Sequence, residues 1–258
     1  VNAAATPGAA LVTGAARRIG RAVALDLARE GWRIAVHCHR SESDARSVVA
    51  EIERAGGKAT VLRADLTRDD QARDLVPRAA AALGPVRCLV NNASVFDGDT
   101  VETATRESWD AHIETNLRAP FVLIQSFSRE LPEGVKGNVV NVLDERVWNL
   151  TPYFVSYTVS KAGLWALTRT MALALAPRIR VNAVGPGPTL PSPRQSKAEF
   201  ERQCRRMPLG RGTTPEEIGA AVRFILDSPA MTGQMIALDG GQHLGWSHPE
   251  ADRLPDIE

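Results

Sequence analysis

"TGAARRIG", residues 13–20, follows the apolar run "AALVT" (9–13) and leads into "RAVALDLARE" (21–30), where Val23, Leu27 and neighbouring alanines fall on one stripe. A short apolar run, a Gly-punctuated turn and an amphipathic segment predict a strand–turn–helix unit. Gly14 permits a tight turn and Gly20 close packing of the helix. Amides at the start of such a helix, at the positive end of its dipole, suit a pyrophosphate. A three-glycine fingerprint would carry glycine where Arg18 stands. Arg18 offers a long cation able to bridge cofactor phosphates and a substrate, with Ile19 beside it; a solvated surface arginine is the alternative.

Outward from this unit the alternation continues. Strands are predicted at "RIAVH" (33–37), "KATVLRA" (58–64), "RCLVN" (87–91), "GNVVNVL" (137–143), "RIRVNAV" (178–184) and "MIAL" (235–238). Segments of helical period lie between them, and "SDARSVVAEIERAGG" (43–57) ends in a glycine pair suited to a helix C-terminus. Such a pattern predicts a doubly wound α/β fold with a parallel sheet covered on both faces. The chain of 258 residues, 44% of them apolar, is read as a single domain over 1–258. "GPGPTLPSPRQSKAEFERQCRRMPLG" (185–210) is rich in Pro and charge, and about 188–210 it is expected to form a lid over the ligand-binding edge.

The formal charge of +1 gives no basic field for nucleic acid or a membrane surface. No apolar segment has the length of a membrane span. Three scattered cysteines, Cys38, Cys88 and Cys204, argue for reduced thiols in a cytoplasmic setting and against a structural metal site. The opening "VNAAATPGAALVTG" lacks the cationic head of a signal peptide.

The end of the second strand decides the cofactor. "VHCHRSES" (36–43) places His37, His39, Arg40 and Ser41 where an NAD-selecting site would carry an acid, and no acid comes before Glu42. A carboxylate would repel a 2′-phosphate, whereas Arg40 can hold it bidentately, so NADPH is expected. Downstream, "RADL" (63–66) and "VNNAS" (90–94) end predicted strands, where a parallel sheet lines its crevice. Asp65 could accept from an adenine amino group or cap the helix starting near Asp69, with Leu66 beside it. Asn92, Ala93 and Ser94 could approach the ribose and nicotinamide.

In "NVLDERVWNLTPYFVSYTVSK" (141–161) Tyr157 and Lys161 stand four apart, one helical turn. Hydride transfer leaves negative charge that a tyrosine can quench by giving up its proton, more readily if a cation lowers its pKa of about 10. Lys161 would supply that charge and hold the nicotinamide ribose. Asp144 closes the preceding strand. An ionised carboxylate there has the wrong sign for a carbonyl oxygen gaining charge, but suits N–H donors or protonation of a ring nitrogen. The alternative is an Asp144–Arg146 pair outside the chemistry.

"TGAARRIG", "NNAS", Asn116, "YTVSK" and "GPGP", in that order, resemble the short-chain dehydrogenase/reductase family over nearly the whole chain, to "TGQMIALDGG" (232–241). The resemblance implies a Rossmann fold with seven parallel strands, no metal, and a homotetramer. It assigns catalysis to Asn116, Asp144, Tyr157 and Lys161, Asp144 standing where serine is usual, with Asn116 able to keep a water between Lys161 and solvent. It also places Pro186 and Gly187 against the cofactor.

Within the family, Asp144, Arg18, "HCHRS" and "NNASVF" resemble the pteridine reductases and dihydromonapterin reductases. That branch implies a flat pterin between the nicotinamide and Phe96, positioned by Arg18 and Ser94, with Leu190 or Pro191 lining the pocket. Phe96 as plain core is the competing view. The expected function is NADPH-dependent reduction of a dihydropterin to the tetrahydropterin, and possible substrates extend to dihydrofolate and oxidised pterins. Rivals are an NADPH-dependent carbonyl reductase of 3-oxoacyl thioesters or sugar-like ketones, and a non-catalytic NADPH-binding regulator. Trp148 either shapes the pocket or merely packs. His243 to Trp246 and the tail either reach a neighbouring subunit's site or lie exposed.

Overall fold

The computed structural model describes residues 7–192 and 194–245. The tail from Trp246 onward and Pro193 of the lid lie outside the described residues, as do residues 1–6 of the opening read for a signal peptide.

Seven strands alternate with helices. β1 (Ala9–Val12), β2 (Arg33–Cys38), β3 (Ala59–Arg63), β4 (Val86–Asn91), β5 (Gly137–Val142), β6 (Ile179–Pro186) and β7 (Met235–Leu238) pair in parallel, in the order β3-β2-β1-β4-β5-β6-β7. Every predicted strand is present, shifted by at most two residues at an end. Between them run α1 (Arg18–Arg29), α2 (Glu42–Arg54), α3 (Asp69–Leu83), α4 (Arg106–Ile113), α5 (Ala119–Glu130), α6 (Val155–Leu175), α7 (Lys197–Arg206) and α8 (Pro215–Leu226).

Both sheet faces are covered, so β1 reads as an unbroken apolar run rather than an alternating one. On one face Val12, Val36 and Val140 meet Val23 and Leu27 of α1, Val48 and Ile52 of α2, and Ile218 and Val222 of α8. On the other, Leu11, Leu89, Val139 and Val181 meet Leu75 and Val76 of α3 and Leu123 and Phe127 of α5. Each such buried Val, Leu or Phe contributes roughly 1.5–3 kcal/mol, which holds the register fixed. A buried polar ladder crosses the sheet: Asn91 Nδ2 donates to Asn141 Oδ1, and Asn141 Nδ2 to Thr168 Oγ1 of α6, each at 2.8 Å.

Chain order reverses between β1 and β4, and the carboxyl ends of the strands at such a switch point open a crevice. Residues 187–214, between β6 and α8, reach over it. The Pro-rich reading of this stretch missed α7, a helix with no buried residue. Its start is legible as a capping box: Ser196 Oγ accepts from Glu199 N, and the Glu199 carboxylate accepts from Ser196 N.

Candidate active site

The crevice measures about 750 Å³ and is lined from the β1–α1 turn, the ends of β2 to β6 and the 187–192 segment. Gly14 adopts φ +62°, the left-handed conformation only glycine takes freely. A Cβ on Gly20 would run into Gly14 O and Asn92 Nδ2. Arg18 also lies at φ +53°, so the middle glycine's backbone conformation is kept although the glycine is not. Its guanidinium donates to Leu190 O at 3.1 Å and Pro191 O at 2.9 Å, tying the 187–192 segment to the β1–α1 turn.

His37 borders the crevice but is buried, and its ring is engaged by backbone. Its Nδ1 accepts from Gly14 N at 3.0 Å, which puts the ring proton on Nε2, 3.2 Å from Ala64 O. Both ring nitrogens are engaged by backbone, and burial pushes its pKa down to about 4. It supports the turn from behind as a neutral ring. Asn92 is likewise a brace: Nδ2 donates to Thr13 O and Gly14 O. Thr13, which the sequence reading passed over, accepts at Oγ1 from both Asn92 N and Ala93 N.

At the end of β2, His39 and Arg40 are exposed. Neighbouring Arg17, Arg21 and Arg46 each pair with an acid, whereas Arg40 makes no ion pair or hydrogen bond among the described residues. Ser41, the N-cap of α2, makes no side-chain cap bond, so its hydroxyl is available beside Arg40. His39 lies 3.8 Å from Asp65. Asp65 does not cap α3; its Oδ1 accepts from Thr67 N and Oγ1, building the turn before that helix, while Leu66 is buried in the core. Gly187 closes the far side: a Cβ there would sit 2.7 Å from Asp239 Cα.

Tyr157 and Lys161 project from the first turns of α6, whose N-cap, Phe154, is held at φ +57°. Asp144 lies two residues past the end of β5 and caps the 3-10 turn Glu145–Val147, its Oδ1 accepting from Arg146 N at 2.9 Å. Its other oxygen accepts from the Tyr157 hydroxyl at 2.9 Å. The alternative Asp144–Arg146 side-chain pair does not form: the Arg146 guanidinium lies over the Phe154 ring instead, 4.7 Å from its centroid. Lys161 Nζ donates to Val142 O at 2.8 Å.

Burial, then the Asp144 carboxylate, hold the Tyr157 phenol well above its ordinary pKa. Burial lowers Lys161 to about 8, against the opposing pull of Asp144. The expected lowering of Tyr157 by Lys161 is therefore corrected, because an adjacent acid and desolvation outweigh a lysine that sits 5.7 Å from the ring centroid.

Asn116 is buried in a π-helical turn (Glu114–Arg118) between α4 and α5. Its Oδ1 accepts from Val95 N, and its Nδ2 donates to Val95 O and Ser160 Oγ. The side chain ties the β4 loop to α6. Phe96 is half-buried and lines the crevice, so it is not plain core. Its ring stacks on Phe154 at 4.7 Å and 6°, and meets Tyr157 edge-on at 4.7 Å. Ser94 is exposed at the same wall, and its Oγ donates to Val95 O. Arg194 bonds Phe96 O and Asp97, so the 187–210 stretch is tied to both walls of the crevice.

The chain as a whole has counterparts among known proteins. The profile of short chain dehydrogenases matches residues 8–202. The chain belongs to the short-chain dehydrogenase family. In this family its relatives include the 3-oxoacyl-[acyl-carrier-protein] reductase FabG of Staphylococcus epidermidis, 32% identical over 240 residues, 91% of this chain and 98% of the relative. The 3-oxoacyl-[acyl-carrier-protein] reductase of Synechocystis is 33% identical over 236 residues, 90% and 95% of the two chains. Among solved structures, FolM alternative dihydrofolate reductase 1 from Brucella suis, in complex with NADP, is 48% identical. It superposes with a TM-score of 0.91 over 96% of this chain and 99% of its own. A blue fluorescent protein from a metagenomic library, in complex with NADPH, is 31% identical, with a TM-score of 0.85 over 93% and 99%.

Against the short-chain dehydrogenase pattern, the site residues missed in the sequence are Glu145, Arg146 and Gln242, all lining the crevice. An acid and a base directly after a buried strand were the available signal. Trp148 is 45% exposed and packs edge-on against His243, so it stands at the rim and not in the core. Among the described residues no group of three or more His, Cys, Asp or Glu side chains is placed to hold a metal ion, and no helix is long and apolar enough to cross a membrane.

Proposed function

We propose that this chain is an NADPH-dependent reductase of pteridines, taking a dihydropterin to its tetrahydropterin and accepting dihydrofolate or oxidised pterins. The observation that carries the reading is the 2.9 Å hydrogen bond from Tyr157 to Asp144, an acid where carbonyl reduction wants a donor. The likeness to a dihydrofolate reductase of the same family supports it.

The residues fit NADPH: Gly14, Arg18 and Ile19 cradle the pyrophosphate, and Arg40, Ser41 and His39 take the 2′-phosphate. Asp65 and Leu66 flank the adenine, Ala93, Ser94 and Lys161 the ribose, and Pro186 and Gly187 the nicotinamide. The uncompensated Arg40 cation is the observation that calls for a bound anion. When bound, the cofactor supplies a hydride to the ring carbon of a C=N bond. Asp144 and Tyr157 hold the proton that goes to the ring nitrogen, and the pair regains one from solvent, so each C=N bond gains one hydride, carrying two electrons, and one proton. Lys161 keeps positive charge beside the ribose. Phe96, Arg18, Ser94 and Leu190 orient the flat ring.

Carbonyl reduction is the second reading, supported by the 3-oxoacyl reductases among the relatives. NADPH oxidation with dihydrobiopterin and, in parallel, an acetoacetyl thioester separates them, with Asp144→Ser beside wild type. Pterin turnover lost in the variant is expected. Turnover of the thioester alone, kept or improved in the variant, would overturn the pterin reading. A homotetramer belongs to the same proposal, supported by the exposed apolar Trp109, Val159 and Leu173 on α4 and α6. So does a cytoplasmic setting, supported by Cys38 and Cys88, buried outside any disulfide.

A further inference from the structure

Directly after Asp144 come a buried acid and a buried base that do not pair with each other. Glu145 is 3% exposed and Arg146 7%. The Glu145 carboxyl makes no hydrogen bond and no ion pair among the described residues, and its Oε2 is out of reach of solvent. Arg146 Nη1 is equally buried and unpartnered, with the guanidinium lying over Phe154 and 5.7 Å from the Phe96 centroid. Gln242 Oε1 is a third such atom, 3.1 Å from where a Cβ on Gly187 would stand. An orphaned buried polar atom is destabilising, more so if charged. Of the orphaned buried atoms among the described residues, these three share the wall of one crevice. They are the pattern of a socket whose partners arrive with a ligand.

We propose that Glu145 is a substrate-recognition residue, its carboxyl acting with Gln242 Oε1 and Arg146 Nη1 to bind the amide- and amidine-like edge of a nitrogen heterocycle. This rests on the pteridine reading and narrows it. Gln242 Oε1 needs an N–H, Arg146 needs an acceptor, and a neutral carboxyl can give and take one hydrogen bond each. A ring with C=O beside N–H and an amino group supplies all of these. A ketone or thioester supplies acceptors only and would leave Gln242 unmatched, so the socket selects against it. The groups facing Glu145 are Asp144 and Arg146 beside it in the chain, Asp239 from the segment after β7 and the Tyr157 phenol of α6. Burial, then Asp144, with Asp239 assisting against Arg146, push its pKa up to about 8, which keeps the carboxyl neutral at physiological pH.

The test is steady-state kinetics of wild type, Glu145→Gln and Glu145→Leu with dihydrobiopterin and with an acetoacetyl thioester, alongside NADPH affinity by fluorescence. Glu145→Gln keeps a neutral donor and acceptor and is expected to hold the pterin KM within about threefold, which also shows that the fold survives. Glu145→Leu should raise that KM tenfold or more, a loss of about one hydrogen bond's worth. NADPH affinity should stay within about twofold, and any thioester turnover should hold or rise, since a group that disfavours it is gone. In wild type the pterin KM should rise above pH 8, and in Glu145→Gln that rise should vanish. A pterin KM unmoved in Glu145→Leu, or a weakened NADPH affinity of the same size, would overturn the assignment while leaving the pterin reading intact. No pterin turnover by wild type would overturn both.

Discussion

The Tyr157 hydroxyl donates a hydrogen bond to Asp144 Oδ2 across 2.9 Å, while the other oxygen of Asp144 is fixed by Arg146 N at the same distance. The proton donor of the site is thereby coupled to an acid whose position the 3-10 turn dictates. Asp144→Asn keeps the shape and removes the acid. It should lower kcat for a pterin by about 10²–10⁴, the usual contribution of a positioned general acid, with little change in NADPH affinity. Removing the carboxylate should also bring the Tyr157 pKa down toward its ordinary value. The chain has 2 tyrosines, so an ultraviolet phenolate titration of wild type and variant can follow it. An unmoved titration with unmoved kcat would put Asp144 outside the chemistry.

Arg40 is the cation without a partner at the end of β2. Arg40→Ala should weaken NADPH binding by roughly 1.5–3 kcal/mol, about ten- to a hundredfold, as expected when a charged hydrogen-bond donor to a phosphate is lost. NADH binding should hardly change, since no 2′-phosphate is there to miss the cation. Equal losses for both cofactors by fluorescence titration would assign Arg40 to the fold instead of to selectivity.

His37 makes the turn sensitive to acid. Its folded pKa of about 4 lies below its ordinary 6.5. Between those values the unfolded chain binds a proton that the folded chain does not, so the neutral ring's stability is fully present above pH 6.5 and drains away toward pH 4. At 1.36 kcal/mol per unit the loss is about 3 kcal/mol. Urea unfolding at pH 7 and near pH 4 should show a fall in wild type larger than that in His37→Asn by about this amount. Parallel falls in the two proteins would place the acid sensitivity elsewhere.

The strands were legible because a sheet covered on both faces reads as uninterrupted Val, Ile and Leu. Tyr157, Lys161 and Asp144 were legible because their spacing is local: one helical turn, and one strand end. What the chain order hides is partnership. Nothing in "VHCHR" says that His37 turns back to bond Gly14 N, since that contact spans 23 residues and depends on β1 and β2 being neighbours. Glu145 was passed over for the same reason, because its significance is a lack of partners, and burial without pairing is visible only in three dimensions. The segment 187–210 was read as irregular from its prolines, although the Ser196–Glu199 box was written plainly in the sequence.

Arg18 combines a strained backbone with a site role, and the two can be separated. At φ +53° a side chain costs about 1–2 kcal/mol that glycine avoids, and glycine gives back about 0.5–1 kcal/mol through the greater entropy of its unfolded chain. Arg18→Gly and Arg18→Ala both lose the bonds to Leu190 O and Pro191 O, so their difference isolates the backbone. Arg18→Gly should be the more stable of the two by roughly 0.5–1 kcal/mol in urea unfolding. Both should bind NADPH and pterin more weakly than wild type by similar factors, because the guanidinium is gone from each. If Arg18→Ala proved as stable as Arg18→Gly, the left-handed turn would cost nothing here. If both variants kept full pterin KM and NADPH affinity, Arg18 would be only the tie that holds 190 and 191 to the turn.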